Sequence, residues 1–427
     1  MRDLRGGPWF PIGHPGHRGT PFRPSRRRLL AHAGRIGLSG LLGAPAWNVR
    51  AATLVELRFA NGRRELVTNF PQKGAMLLLR TRPALLETPF EVFDQSVFTP
   101  NDRFYVRWHL ADIPEVIDPG TFRLNIGGHV RQAVSLTLDD LVRGFEPFEI
   151  AAVNQCSGNS RGFFSPRVAG GQWSNGAMGN ARWTGVRLRD VLDRAGVKAG
   201  ALQVRFNGLD TGVLPQTPNF MKSLAVDHAR DGEVMIAYAM NGERLPLLNG
   251  YPLRMVVPGW YATYWVKMLS DVTVLDKPDD NYWMAKAYLI PDTPFADISP
   301  GQKGVRTVPI NRMVPRSFFS NIQDGAVLKT GQTTTVRGIA FGGDAGLKEV
   351  LFSSDAGSSW QPVRLGADHG KYGFRQWEAP WRPSSQGPHK LMVKASNTAG
   401  IAQPDHANWN GGGYMRNVIE SVSVQAT

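Results

Sequence analysis

The 427-residue chain is punctuated by 47 glycines and 30 prolines, spread without a repeat. That scatter leaves little room for long helices, because both residues disfavour helix interiors while supplying the turns between short strands. A helix bundle is disfavoured, and substantial β content is expected. The length exceeds what one hydrophobic core usually serves, so two domains and a leader are expected. With 42% hydrophobic and 20% charged residues the composition is globular, which excludes wholesale disorder.

The formal charge of +14 would suit a nucleic-acid or membrane-surface protein, but residues 1–50 hold nine arginines against one aspartate, a net +8. A nucleic-acid partner is therefore not expected. Ser25-Arg26-Arg27-Arg28-Leu29-Leu30 leads into a Leu-, Gly- and Ala-rich stretch ending at Trp47, with small residues at Ala44-Pro45-Ala46 and Ala51-Ala52. This order resembles a twin-arginine export signal, so residues 1–52 are expected to be a signal peptide and the protein to reside in the periplasm. His32 and Arg35 interrupt the apolar run and make a permanent span there costly; the rest of the sequence offers none.

Residues 53–304 mix short strands with short helices, an α+β pattern. Thr137 with Asp140 three residues later reads as a helix start. Leu188, Val191, Leu192 and Ala195 follow helical spacing until Gly196. Phe148 to Val153 and Leu253 to Pro258 read as buried strands. From residue 305 onward the pattern changes to successive strands at Thr333–Phe341, Glu349–Ser353, Gln361–Leu365, His389–Ala395 and Val418–Gln425. Gly342-Gly343-Asp344 and Asp355-Ala356-Gly357 mark turns, which suggests an antiparallel, Ig-like sandwich over 305–427.

Cys156 is the sole cysteine. It rules out intrachain disulfides, cysteine-ligated iron–sulfur clusters and a Cys-x-x-Cys-His haem attachment, so no haem is expected in this chain. A lone cysteine is commonly a buried small hydrophobe. This one lies in Asn154-Gln155-Cys156-Ser157-Gly158-Asn159-Ser160-Arg161-Gly162, a polar turn after an apolar strand, where Arg161 favours a thiolate able to act as nucleophile or soft metal ligand.

Together with Gly176-Ala177-Met178-Gly179-Asn180-Ala181-Arg182-Trp183-Thr184-Gly185-Val186, this segment resembles the molybdopterin domain of the sulfite oxidase family. Arg103-Phe104-Tyr105-Val106-Arg107-Trp108-His109, Asn249-Gly250-Tyr251-Pro252-Leu253-Arg254, Trp265-Val266-Lys267 and Ala287-Tyr288 agree with it, and the terminal sandwich resembles the family's dimerisation domain. The pattern is most similar to the molybdenum subunits of bacterial cytochrome-linked sulfite dehydrogenases.

The resemblance implies a molybdenum–molybdopterin cofactor and oxidation of sulfite to sulfate by oxo transfer. Electrons would leave singly to a c-type cytochrome, as subunit or acceptor, and two copies would pair through the sandwich. Cys156 matches the metal ligand. Arg107 and Arg161 match a sulfite clamp whose planar forks suit an oxyanion. Tyr288 matches a hydroxyl donor near the metal's oxygen, His109 a residue positioning Tyr288 or the cofactor, and Trp173 a pocket wall. Tyr105, Arg107, His109, Asn249, Arg254, Lys267 and the Trp265-Val266 backbone fall at the cofactor, with Asp210 on the pterin. Two departures stand out: Asn249 replaces the histidine of several animal members, and Gly411-Gly412-Gly413 replaces a segment that carries a pocket arginine there, with Arg416 as a nearby substitute. Two readings compete: a sulfane dehydrogenase subunit of a thiosulfate-oxidising complex, and a secreted Ig-like binding protein without metal.

Overall fold

The computed structural model describes residues 53–427; the signal-peptide expectation lies outside them. The fold is built mainly of sheet, and the longest α-helix among the described residues, Leu188–Ala195, has eight residues. That helix ends at Gly196, whose φ of 71° suits glycine and whose N–H donates to the Leu192 and Asp193 carbonyls. At Thr137 a full capping box forms: Thr137 Oγ1 accepts from Asp140 N–H (3.0 Å) and Asp140 Oδ2 from Thr137 N–H (2.9 Å). Such a cap is worth about 1 kcal/mol and fixes the start of helix Leu138–Gly144.

Three sheets surround the first core. A five-stranded antiparallel meander runs from Thr53–Glu56 to Val106–Arg107. A mixed sheet has the order Met221–Ala225, Gln203–Gly208, Leu269–Leu275, Leu124–Gly128, Val134–Leu136, with one parallel pairing in its middle. In the third, Pro147–Gln155 pairs along its whole length with Met178–Arg187, which pairs in turn with Met235–Met240.

Beyond these, a four-stranded sheet (Arg316–Phe319, Thr334–Phe341, Arg375–Trp381, Arg364–Leu365) faces a five-stranded one built around Gly387–Asn397. Phe319, Val336, Trp377, Phe352, Val393 and Val422 from the two sheets share one core, which makes the pair a β-sandwich.

The strand expected at Gln361–Leu365 is two strands. Gln361–Pro362 pairs with Leu351 and Phe352 in one sheet, and Arg364–Leu365 with Trp377 and Glu378 in the other. Pro362 has no N–H to continue a ladder, and the chain changes sheets at Val363, whose N–H donates to the Val350 carbonyl.

The two parts are closely joined. Leu289–Pro291 pairs with Thr307–Pro309, and Ala152 bridges to Tyr372. Ile339, Phe341, Tyr372, Phe374 and Met415 pack into the first core rather than the sandwich's own. Among the described residues no helix is long and apolar enough to cross a membrane.

Candidate functional site

Cys156 follows directly on strand Pro147–Gln155. The chain turns there as the N–H of Asn159 donates to the Cys156 carbonyl (2.9 Å) and that of Arg161 to the Gly158 carbonyl (3.0 Å), with Ser160 at φ 67°. Gly158 leaves room for the Arg161 side chain, since a Cβ there would lie 2.5 Å from the guanidinium carbon and displace it. Cys156 lines a cleft of about 480 Å³, counting space open to solvent.

The cleft draws on segments far apart in sequence: Tyr105, Arg107 and His109 from one, Asn249, Arg254, Trp265 and Lys267 from another, and Tyr288 from a third. Arg107 Nη1 donates to the Trp108 carbonyl (2.6 Å) and Nη2 to the Tyr288 hydroxyl (3.1 Å). His109 Nε2 meets the same hydroxyl at 2.5 Å, its ring stacked on Phe220 with centroids 3.5 Å apart. An edge of His109 reaches solvent, yet the aromatic packing desolvates the ring. That desolvation, with Arg107, Lys267 and Lys222 nearby, holds its pKa well below the usual range and keeps it neutral. Burial likewise raises the Tyr288 pKa, keeping it a protonated donor. Tyr288 adopts φ 57°, a left-handed backbone of the kind found where a side chain is held for function.

Five residues expected at the site are not on the cleft wall. Arg161 turns away: Nε and Nη2 each donate from 3.1 Å to the Gly413 and Gly412 carbonyls, and Nη1 donates to Gly171 (3.4 Å). Its guanidinium lies over the Tyr414 ring at 5.1 Å. Gly413, at φ 60°, would bring a Cβ within 2.7 Å of Arg161 Nε, so the triple glycine accommodates this closure. Asp210 is buried behind the wall, where desolvation raises its pKa to about 6 against the pull of Lys267. Val266 contributes its carbonyl to Met255 N–H, and Trp265 N–H donates to the Ala262 carbonyl. Trp173 packs edge-on to Tyr105 within the core. Arg416 sits over Phe163 and near Glu420, away from the cleft.

Other contributors carried no sequence signal. Lys73 donates to Asn249 Oδ1 (2.5 Å), and Tyr414 stacks on Tyr288 with centroids 5.3 Å apart. Lys73 comes from a segment without a recognisable motif around it, and Tyr414 follows the Gly411-Gly412-Gly413 run, where attention fell on the missing arginine.

The cleft is prepared for a polar ligand. Asn154 Nδ2, Ser157 Oγ, Arg254 Nε and Thr263 Oγ1 are buried without hydrogen-bond partners, and all four residues line it. Folded proteins rarely leave such atoms unpaired. Arg107, Arg254 and Lys267 against the one carboxylate of Asp210 favour an anion. Among the described residues no group of three His, Cys, Asp or Glu side chains could hold a metal. A metal on Cys156 would thus need ligands brought by its own cofactor.

Comparisons with known proteins give the same direction. Residues 110–283 match the oxidoreductase molybdopterin binding domain and residues 308–427 the Mo-co oxidoreductase dimerisation domain. Sulfite oxidase of Gallus gallus is 33% identical over 358 residues, covering 80% of this chain and 76% of that protein. Mitochondrial sulfite oxidase of Mus musculus is 33% identical over 82% of this chain, which spans 66% of the mouse protein's length. The sulfane dehydrogenase SoxCD from Paracoccus pantotrophus shares the fold, with a TM-score of 0.69, 22% identity, and 92% and 94% of the two chains covered.

Proposed function

Because the chain belongs to the sulfite oxidase family of molybdopterin proteins, we propose that it is a periplasmic molybdenum enzyme that oxidises sulfite to sulfate and passes the electrons singly to a c-type cytochrome. The observation that carries this reading is the convergence of Cys156, Arg107 and Tyr288 on one cleft walled by unpaired buried polar atoms. Overall, sulfite and water give sulfate, two protons and two electrons.

The residues present fit a molybdopterin. Cys156 offers one soft sulfur ligand, and Arg254, Lys267 and Thr263 offer donors to an anionic tail. When bound, the cofactor supplies the metal that accepts two electrons and exchanges an oxygen atom.

The chain's own work is positioning. Arg107 presents a guanidinium already fixed by the Trp108 carbonyl and the Tyr288 hydroxyl, so an oxyanion meets a preset charge. The Tyr288 hydroxyl accepts from Arg107; with the His109 proton on Nδ1 it directs its own proton to His109 Nε2, and rotation about the C–O bond redirects it to a substrate oxygen. The sequence's single cysteine leaves no Cys-x-x-Cys-His for a haem, which supports an external one-electron carrier. Dimerisation through residues 308–427 and export by residues 1–52 belong to the same reading.

The test is anaerobic: quantify molybdenum and pterin in the purified chain, add sulfite, then add a c-type cytochrome. Stoichiometric metal, one reduction by sulfite and continuous turnover only with cytochrome are expected. A metal-free chain would sink the reading. Turnover of a sulfane sulfur with none of sulfite would assign the sulfane dehydrogenase activity instead.

A further inference from the structure

Asn249, on the cleft wall, is held at every polar atom. Its Oδ1 accepts from Lys73 Nζ (2.5 Å), Nδ2 donates to the Tyr105 carbonyl (3.1 Å), its own carbonyl accepts from Arg254 Nη1 (2.9 Å), and its N–H donates to Pro246 (2.9 Å). An ammonium can only donate, so Lys73 dictates which end of the amide faces it. The second Nδ2 hydrogen is then what Asn249 can offer to the cleft.

Lys73 is itself in a built position, 7% exposed, with the Asn101 carbonyl at 2.7 Å and the Phe104 carbonyl at 2.9 Å as its other acceptors. Burial pushes its pKa down to about 7, Asp102 partly restores it, and Arg254 lowers it further. Lys73 and Arg254 are thus like charges close enough to repel within a desolvated wall. Arg254 Nε and Thr263 Oγ1 remain unpaired there. An anion in the cleft would relieve the repulsion and satisfy those atoms.

We propose that Lys73 is a positioning residue of the cofactor site, which sets the Asn249 amide and adds its charge to Arg254 and Lys267 against the phosphate-bearing end of the cofactor. This rests on the reading of the cleft as a molybdopterin site and extends that site to a segment before residue 110.

The test uses the full chain loaded with cofactor. Lys73→Gln keeps a donor for Asn249 and removes the charge; Lys73→Gln with Asn249→His returns a protonatable group at the wall. Molybdenum and pterin per chain are followed during prolonged buffer exchange, and the melting temperature of the cofactor-free protein is measured. Lys73→Gln should lose cofactor about tenfold faster or more, a loss larger than any fall in the cofactor-free melting temperature from the Asn101 and Phe104 carbonyls it leaves unpaired accounts for. The double variant should regain retention at pH 6 and lose it again at pH 8. If Lys73→Gln does not fold, Lys73→Met carries the same expectation and the same rescue. Wild-type retention in the charge-free variant, or a loss that tracks melting temperature and is not rescued, would overturn the role of Lys73. A wild-type protein that binds neither molybdenum nor pterin would instead overturn the reading of the cleft.

Discussion

Tyr288 and His109 share one hydrogen bond, 2.5 Å from hydroxyl to Nε2, in which the tautomer of His109 decides which of the two donates. Arg107 donates to the hydroxyl from the other side, and with the His109 proton on Nδ1 the tyrosine proton points to a histidine that burial keeps neutral. Tyr288→Phe therefore removes one aimed donor and nothing that holds the cofactor. Turnover should fall about a hundredfold while molybdenum content stays unchanged. A metal-free variant would move Tyr288 from chemistry to cofactor retention.

Cys156→Ser should do more harm to activity and little to folding. The volume hardly changes, but a hard oxygen replaces the soft sulfur ligand. Turnover should drop about a thousandfold or more with a melting temperature close to wild type. Activity within a few-fold of wild type, or a large loss of stability, would show that Cys156 is only a packed core residue.

The two arginines should separate. Arg107 lines the cleft, and Arg107→Met should raise the KM for sulfite by the equivalent of about 1.5–3 kcal/mol with little change in stability. Arg161 donates to the Gly412 and Gly413 carbonyls. Arg161→Met leaves these acceptors unpaired, at about 1–3 kcal/mol of stability for each that stays buried. Its effect on KM should be the smaller of the two. Equal KM effects with unchanged melting temperatures would sink this division.

Three buried lysines make the cofactor-free protein sensitive to alkaline pH. Lys73, Lys222 and Lys267 each have their pKa pushed down to about 7, first of all by desolvation. The unfolded chain then binds more protons than the folded one between about pH 7 and 10, so stability should rise with pH across that window. The slope is at most about 1.4 kcal/mol per pH unit for each lysine. Lys222→Met should lower the slope by about one proton in urea titrations from pH 7 to 10. An identical slope would show that Lys222 titrates at its ordinary value in the folded state.

Much of this was legible in the sequence for identifiable reasons. Cap and stop signals at Thr137 and Gly196 are local, and the structure forms both. Strands with an alternating face, such as Gly387–Asn397, also announce themselves. Arg316–Phe319 does not, because all four residues are buried and its arginine is held by Glu420 (2.6 Å) and Ser160 (3.0 Å). Arg375–Trp381 is concealed by Pro380, which argues against the interior position that the strand occupies. At the site, Cys156, Arg107 and Tyr288 are visible through their motifs. Lys73 and Tyr414 act through partners 176 and 126 positions away in sequence, and no local pattern encodes such distances.

The closure of Arg161 on Gly412 and Gly413 imposes an order on synthesis. The guanidinium emerges from the ribosome some 250 residues before the carbonyls that satisfy it, and until they arrive the turn carrying Cys156 has an unpaired cation beside it. A nascent chain halted short of residue 412 lacks two of the acceptors that hold the Arg161 side chain beside that turn. The segment carrying Gly412 and Gly413 thus acts as a clasp, tying maturation of the pocket to delivery of a stretch translated some 250 residues later.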